Sequence, residues 1–269
     1  MNRAIYRYEL RQRWSSVGIW AGSLAALLLT FMALFPSFSA DMAAMNQVLD
    51  NFPPEFKAVF GLNALNLATL EGYFGFCFVF CQLCLAIQAA NYGLSLVSVE
   101  EAELTADFLL TRPLSRPTIL SSKLLANLTS LLVTQVLFWA VSLASIAMFK
   151  GEAQYEPRAI MLMLGSIVIF QLIFFSLGLL ISLMVRRMHS VTPWSLGLAF
   201  GTYVISAFSG IFEDVKLEYL SPFKHFDPGK IISDMHYDTR LVVLDVVIVI
   251  VAIGVSYWLY QKRDIASPS

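Results

Sequence analysis

Six apolar runs, nearly free of charge, constrain this chain more than anything else in it. Gly18–Phe35, Gly72–Val99, Leu124–Met148, Ala159–Val185, Pro193–Phe212 and Leu241–Tyr260 carry a single ionisable acid or base between them, Asp245. About 20 mostly apolar residues suffice to cross a bilayer as a helix, and such a helix satisfies its own backbone. The chain is 58% hydrophobic and 14% charged, against roughly 25% charge in a soluble domain. It lacks the polar surface that a soluble fold of 269 residues needs. The reading is an all-α integral membrane protein, a single transmembrane domain over residues 1–269 with six spans.

Basic residues orient it. With both termini in the cytoplasm, the inner segments hold Arg3, Arg7, Arg11, Arg13, Arg112, Arg116, Lys123, Arg186, Arg187, Lys262 and Arg263, so most of the 18 bases lie inside. Most of the acids then lie outside. A net charge of -1 gives no basic excess for nucleic acid. No cleavable signal peptide is expected, because the arginines precede a segment long enough to span. Asn2–Ser16 reads as a helix in the membrane interface, although Leu10 and Trp14 share an arc with Arg3 and Arg7. A topology signal is the other reading. Pro36–Glu71, with Met42, Met45, Leu49 and Phe52 at helical spacing, reads as a short outer surface helix or re-entrant piece.

The second span is long, roughly 42 Å against a core of about 30 Å. Its excess is expected to project inward as a stalk for the cytoplasmic loop 100–123. There Leu104, Phe108 and Leu109 form a short stripe ended at Pro113, and Ser115 with Pro117 opens the next helix. The loop reads either as a stiff docking knob or as a charged interfacial turn. Along the second span, Cys77, Cys81, Cys84, Gln88, Asn91, Ser95 and Ser98 share a narrow arc. They suit a tight seam between spans, a cargo lining or, least well, a thiolate metal site. Asn127, Thr134 and Gln135 continue the theme in the third span, and Gln171, Ser176 and Gly178 in the fourth. Gly197 and Gly201 form a G-x-x-x-G in the fifth. Asp245 is expected to be interfacial. In the outer segment Glu213–Arg240, His225, Asp227, Asp234, His236 and Asp238 suit a solvated acidic loop better than a metal site.

No G-x-S-x-G, H-E-x-x-H or G-x-x-x-x-G-K-[ST] occurs, and no span carries the run of charges a pump or voltage sensor uses. An enzyme is not expected. The string Glu103-Leu104-Thr105-Ala106-Asp107-Phe108-Leu109-Leu110-Thr111-Arg112-Pro113-Leu114-Ser115-Arg116, followed by Lys123-Leu124-Leu125, resembles the permease subunits of type-2 ATP-binding-cassette exporters. So do Ser221-Pro222-Phe223 before the last span and Lys262-Arg263-Asp264 after it. The resemblance covers essentially the whole chain. It implies that Leu104–Leu110 is a coupling helix seated in a separate ATPase, with Glu101, Glu103, Leu104, Asp107, Phe108, Leu109, Arg112 and Arg116 at the docking surface. Asn2–Ser16 would be the connecting helix, and two permease chains would pair with two cassettes, the first and fifth spans at the permease interface; apart from the resemblance, the spacing of Gly197 and Gly201 would fit such an interface. ATP and Mg would sit on the partner, with no cofactor or metal in this chain. The implied location is a plasma (inner) membrane, prokaryotic and multi-pass. Low intramembrane charge suits a lipid, peptide or drug cargo. An ATP-independent channel or carrier and a non-transporting scaffold or immunity factor stay open.

Overall fold

The structure, a computed structural model, describes residues 2–40, 51–53, 57, 65–102, 115–185, 188–209 and 217–262. Its regular elements among these residues are all helical: α1 (Arg3–Ala40), α2 (Leu70–Ala102), α3 (Arg116–Phe149), α4 (Pro157–Met184), α5 (Thr192–Ser209), a 3-10 turn (Leu217–Leu220), α6 (Pro222–His225), α7 (Pro228–Asp234) and α8 (Thr239–Lys262). Five of them, α1, α2, α3, α4 and α8, are long and apolar enough to cross a membrane. At 18 residues, α5 measures about 27 Å, and Thr192, Ser195, Thr202, Tyr203, Ser206 and Ser209 dilute its apolar run. Gly210–Phe212, the end of the expected fifth span, lie outside the described residues.

The basic segment is not a separate element. Helix α1 runs unbroken for 38 residues, so no turn parts Asn2–Ser16 from the first span. Helix α2 continues past the expected end of the second span to Ala102. Helix α3 begins at Arg116, with Ser115 extended before it and Pro117 in its first turn. The cap differs from expectation in one respect. Ser115 Oγ meets Thr118 Oγ1 at 2.8 Å instead of a backbone N–H, while its carbonyl accepts from the amides of Thr118 and Ile119. Met42, Met45 and Leu49 of the expected outer helix lie outside the described residues.

Helices α2 and α4 form the centre. A Cβ on Gly93 would stand 2.1 Å from the Phe175 carbonyl oxygen, and one on Gly178 2.6 Å from that of Ala90. The two backbones therefore touch, and only glycine permits it. Phe74, Phe78, Leu85, Phe170, Phe174 and Leu179 belong to the buried core that runs along these two helices. Around it, α3 and α8 turn Leu132, Val136, Met148, Val247, Ile250 and Val251 outward. Such faces suit acyl chains and exceed what a soluble monomer exposes.

Residues 221–231, in the segment expected as a solvated acidic loop, pack largely into the bundle. Pro222, Phe223, His225, Phe226, Pro228, Gly229 and Ile231 are all buried. The Phe223 ring stands edge-on to Phe170, Phe174 and Tyr203. Gln82 donates to the Phe226 carbonyl at 3.1 Å, and the Ser221 hydroxyl to that of Thr202 at 2.7 Å. The first satisfies a carbonyl left free between α6 and α7, and the second ties Ser221 to the body of α5.

Candidate functional site

Four helix ends meet where the chain leaves α2 and re-enters at α3. Glu103, Leu104, Asp107, Phe108, Leu109 and Arg112 lie outside the described residues, and Glu101 is in the last turn of α2. What the structure describes is the mounting of that loop. On its departing stem, Ser95 accepts from Arg13 at 2.7 Å, and the same guanidinium lies 4.8 Å from the centre of the Tyr92 ring. The Tyr92 hydroxyl donates to Ser16 at 3.0 Å.

The returning stem is held from three sides. Lys123, only 3% exposed, donates through Nζ to the Leu96 carbonyl at 2.8 Å and faces Glu9 at 3.5 Å. It thereby bonds α3 to α2 and to α1 at one point. A buried ammonium is tolerable only with such partners. The Asn2 amide donates to Ser122 Oγ at 2.7 Å, and the Tyr6 and Thr129 hydroxyls meet at 3.2 Å. Arg116 donates to the Gln261 and Tyr260 carbonyls at 3.1 and 3.5 Å, placing a cation on the negative end of α8. Ser121 and Tyr257 meet at 2.7 Å. A displacement of the returning stem therefore reaches α1, α2 and α8 directly, and one of the departing stem reaches α1 and α3.

Deeper in the bundle, the Gln88 amide donates to Thr134 at 3.0 Å and Gln171 donates to Gln88 at 3.4 Å. Cys77, Cys81 and Gln135 are buried, with Cys84 and Asn91 half-buried. Among the described residues no three His, Cys, Asp or Glu side chains gather as a metal site.

On the opposite end, Asp245 is wholly buried in the bundle: His225 Nδ1 lies 2.7 Å from its Oδ1, with the side chains 0% and 1% exposed. Helix α6 turns the imidazole inward over the last span. The other polar residues of the outer segment disperse into local roles. Asp227 caps α7 and pairs with Lys224, Asp238 caps α8, Asp234 accepts from Ser233 and His236 meets the Tyr237 carbonyl. Tyr237 donates to the Leu162 carbonyl, and burial pushes its phenol pKa up.

Gly197 and Gly201 lie on an exposed face of α5 beside Trp194, Val204 and Phe208, and a Cβ on either would meet nothing within 4 Å. Gly18 and Gly22 of α1 stand equally open beside exposed Ile19. That second G-x-x-x-G was visible in the sequence and passed over. The contact at Gly93 and the burial of Lys123 were missed as well, since neither has a pattern that marks it. Residues 3–265 match the family model described as ABC-2 family transporter protein. No curated protein matches the chain.

Proposed function

Because the chain belongs to the ABC-2 transporter family, we propose that this permease is the membrane half of an ATP-driven exporter. A separate cytoplasmic ATP-binding-cassette subunit supplies hydrolysis, with ATP and Mg on that partner. Leu104–Leu110 seats in the cassette: Leu104, Phe108 and Leu109 fill a pocket, while Glu101, Glu103, Asp107 and Arg112 fix register. Arg116, already bonded to the end of α8, acts as the pivot behind this surface more than as part of it. Six spans, α5 among them, cross the inner membrane of a prokaryotic cell with both termini in the cytoplasm. A second permease chain packs against the open glycine faces of α1 and α5, where small residues let helices approach closely.

The observation that carries this reading is the anchorage of both stems of the loop to α1, α2, α3 and α8. A partner can shift a two-state membrane domain only through contacts that differ between the states, and these bonds lead from such contacts to four helices. The cargo is a lipid, peptide or drug, a class supported by spans in which Asp245 is already paired to His225.

The test is co-reconstitution with the cassette chain that purifies with the permease. Phe108→Ala is expected to leave the permease folded while lowering cargo-stimulated ATP hydrolysis at least about ten-fold, a loss of roughly 1.4 kcal/mol of docking energy. Unchanged coupled hydrolysis would overturn the docking surface. Cargo or ion flux through the permease alone would support a channel or carrier, and full function with a hydrolysis-dead cassette would support a scaffold.

A further inference from the structure

The bond between His225 and Asp245 leaves two polar atoms idle. His225 Nε2 and Asp245 Oδ2 are both buried, and neither meets a donor or acceptor among the described residues. Asp245 stands six residues beyond Thr239, about 9 Å along α8, in an apolar run that turns Val243, Val246 and Val247 outward. Its carboxylate therefore has one hydrogen bond and no water to share its charge.

No other charge among the described residues comes to its aid. On α6 and beside it, Lys224 pairs with Asp227, and Lys230 of α7 with Glu218 of the 3-10 turn. Asp234 holds Ser233, Asp238 caps α8, and His236 and Arg240 are exposed. Helix α4 carries only Arg158, in its first turn, and α5 only the phenol of Tyr203, whose ring lies on Phe223. The Tyr237 hydroxyl is spent on the Leu162 carbonyl. Helix α3, which also packs on α8, has Arg116 and Lys123 at its opposite end. Helix α2, which reaches the segment through Gln82, has Glu71 bonded to the Glu156 amide and then only Tyr73 and the thiols of Cys77, Cys81 and Cys84.

Proton counting follows from this isolation. With an ionised aspartate and a neutral imidazole, the pair is a buried anion, which apolar surroundings penalise. One added proton makes the pair neutral as a whole, whether it is drawn as imidazolium with carboxylate or as imidazole with carboxylic acid. A second added proton would leave a buried cation. Burial selects the form with one. The two forms differ at a single atom. Without the added proton, the only imidazole hydrogen must sit on Nδ1 to make the bond to Oδ1, and Nε2 is bare. With it, Nε2 carries hydrogen.

We propose that His225 and Asp245 form a proton-binding site, which holds one proton while α6 is seated on α8 and gives it up when the two part. Separated in water, an aspartate and a histidine titrate at about 3.9 and about 6.5. Above about pH 7.5 the N–H bond of the freed imidazolium then breaks, the proton passes to water, and a carboxylate and a neutral imidazole remain. The sign follows by linkage. The seated pair binds one proton more than the parted pair, so the seated arrangement loses stability as pH rises above about 6.5. The site is independent of the cassette and of the cargo.

The test reads Nε2 directly. His189 and His236 are exposed and are the other two histidines of the chain, so His189→Gln with His236→Gln leaves His225 alone. The full-length variant, labelled with 15N-histidine in nanodiscs at about pH 8, should show hydrogen on Nε2 in its nitrogen resonances. A bare Nε2 would overturn the site. The second arm follows unfolding of the wild type by dodecyl sulfate in mixed micelles. From about pH 7.5 to 8.5 the unfolding equilibrium constant should rise about five-fold, against a ceiling of about ten-fold for one proton. Asp245→Asn keeps a partner for His225 without the proton, and its rise should stay below about two-fold. Equal pH dependence in the two proteins would overturn the proposal. The first arm leaves the pair itself untouched, so it decides the matter even if Asp245→Asn fails to fold.

Discussion

The two ends of the bundle are fastened by different chemistry. At the loop end, long charged side chains reach across sequence to carbonyls and hydroxyls: Lys123 to Leu96, Arg13 to Ser95, Arg116 to Gln261. At the other end, rings interlock around Phe223 and Phe226, and one short buried pair, His225 with Asp245, ties α6 to the last span. Flexible charged links keep a connection while the parts they join reorient. Interlocked rings and a buried acid hold one geometry or lose most of their energy. The loop end is thus suited to carrying motion and the far end to keeping a closed, dry packing.

Substitution at the far end should show the largest loss. Asp245→Ala strands the His225 imidazole without its partner inside the bundle, and about 3–5 kcal/mol of stability should go with it. Asp245→Asn, which keeps an acceptor for His225, should retain most of the wild-type value. Thermal unfolding in detergent or nanodiscs separates the two. Equal losses would mean that the far end is held by its rings alone. Lys123→Met at the loop end keeps the stem and removes the ammonium, leaving Glu9 and the Leu96 carbonyl without it. A loss of about 1–3 kcal/mol is expected, together with weaker coupling of ATP hydrolysis to transport. A loss as large as that of Asp245→Ala would erase the contrast between the ends. Arg116→Ala should have the smallest effect on unfolding, about 0.3–1 kcal/mol for a cation at a helix C-terminus. Its larger signature should be in coupling, read as ATP hydrolysed per cargo moved.

How much of this was legible differs between the ends for a physical reason. Hydropathy located the long helices, because lipid demands the same property of every residue on an outward face. The length of α2 and the opening of α3 after Ser115 followed from the apolar run and from proline chemistry. Pairings between distant residues carry no local signal. Asp245 read as interfacial because its position near one end of an apolar run favours that. What buries it is a single imidazole 20 residues earlier, delivered by the turn at Pro222. Lys123 looked like a topology charge, and its destination depends on how α1 and α2 cross α3. The difficulty with Leu10 and Trp14 sharing an arc with arginines also had a tertiary answer. The bundle takes in Glu9 and Arg13 and leaves the mixed basic and aromatic side outside.

The unbroken length of α1 has a mechanical meaning. A helix of 38 residues is a rod of about 57 Å, and turning it by roughly 5° about its middle swings each tip by about 2.5 Å. With no joint between the turns that grip Lys123 and Ser95 and those that accept the Tyr73 hydroxyl at Phe31, leverage on one side of the membrane becomes travel on the other.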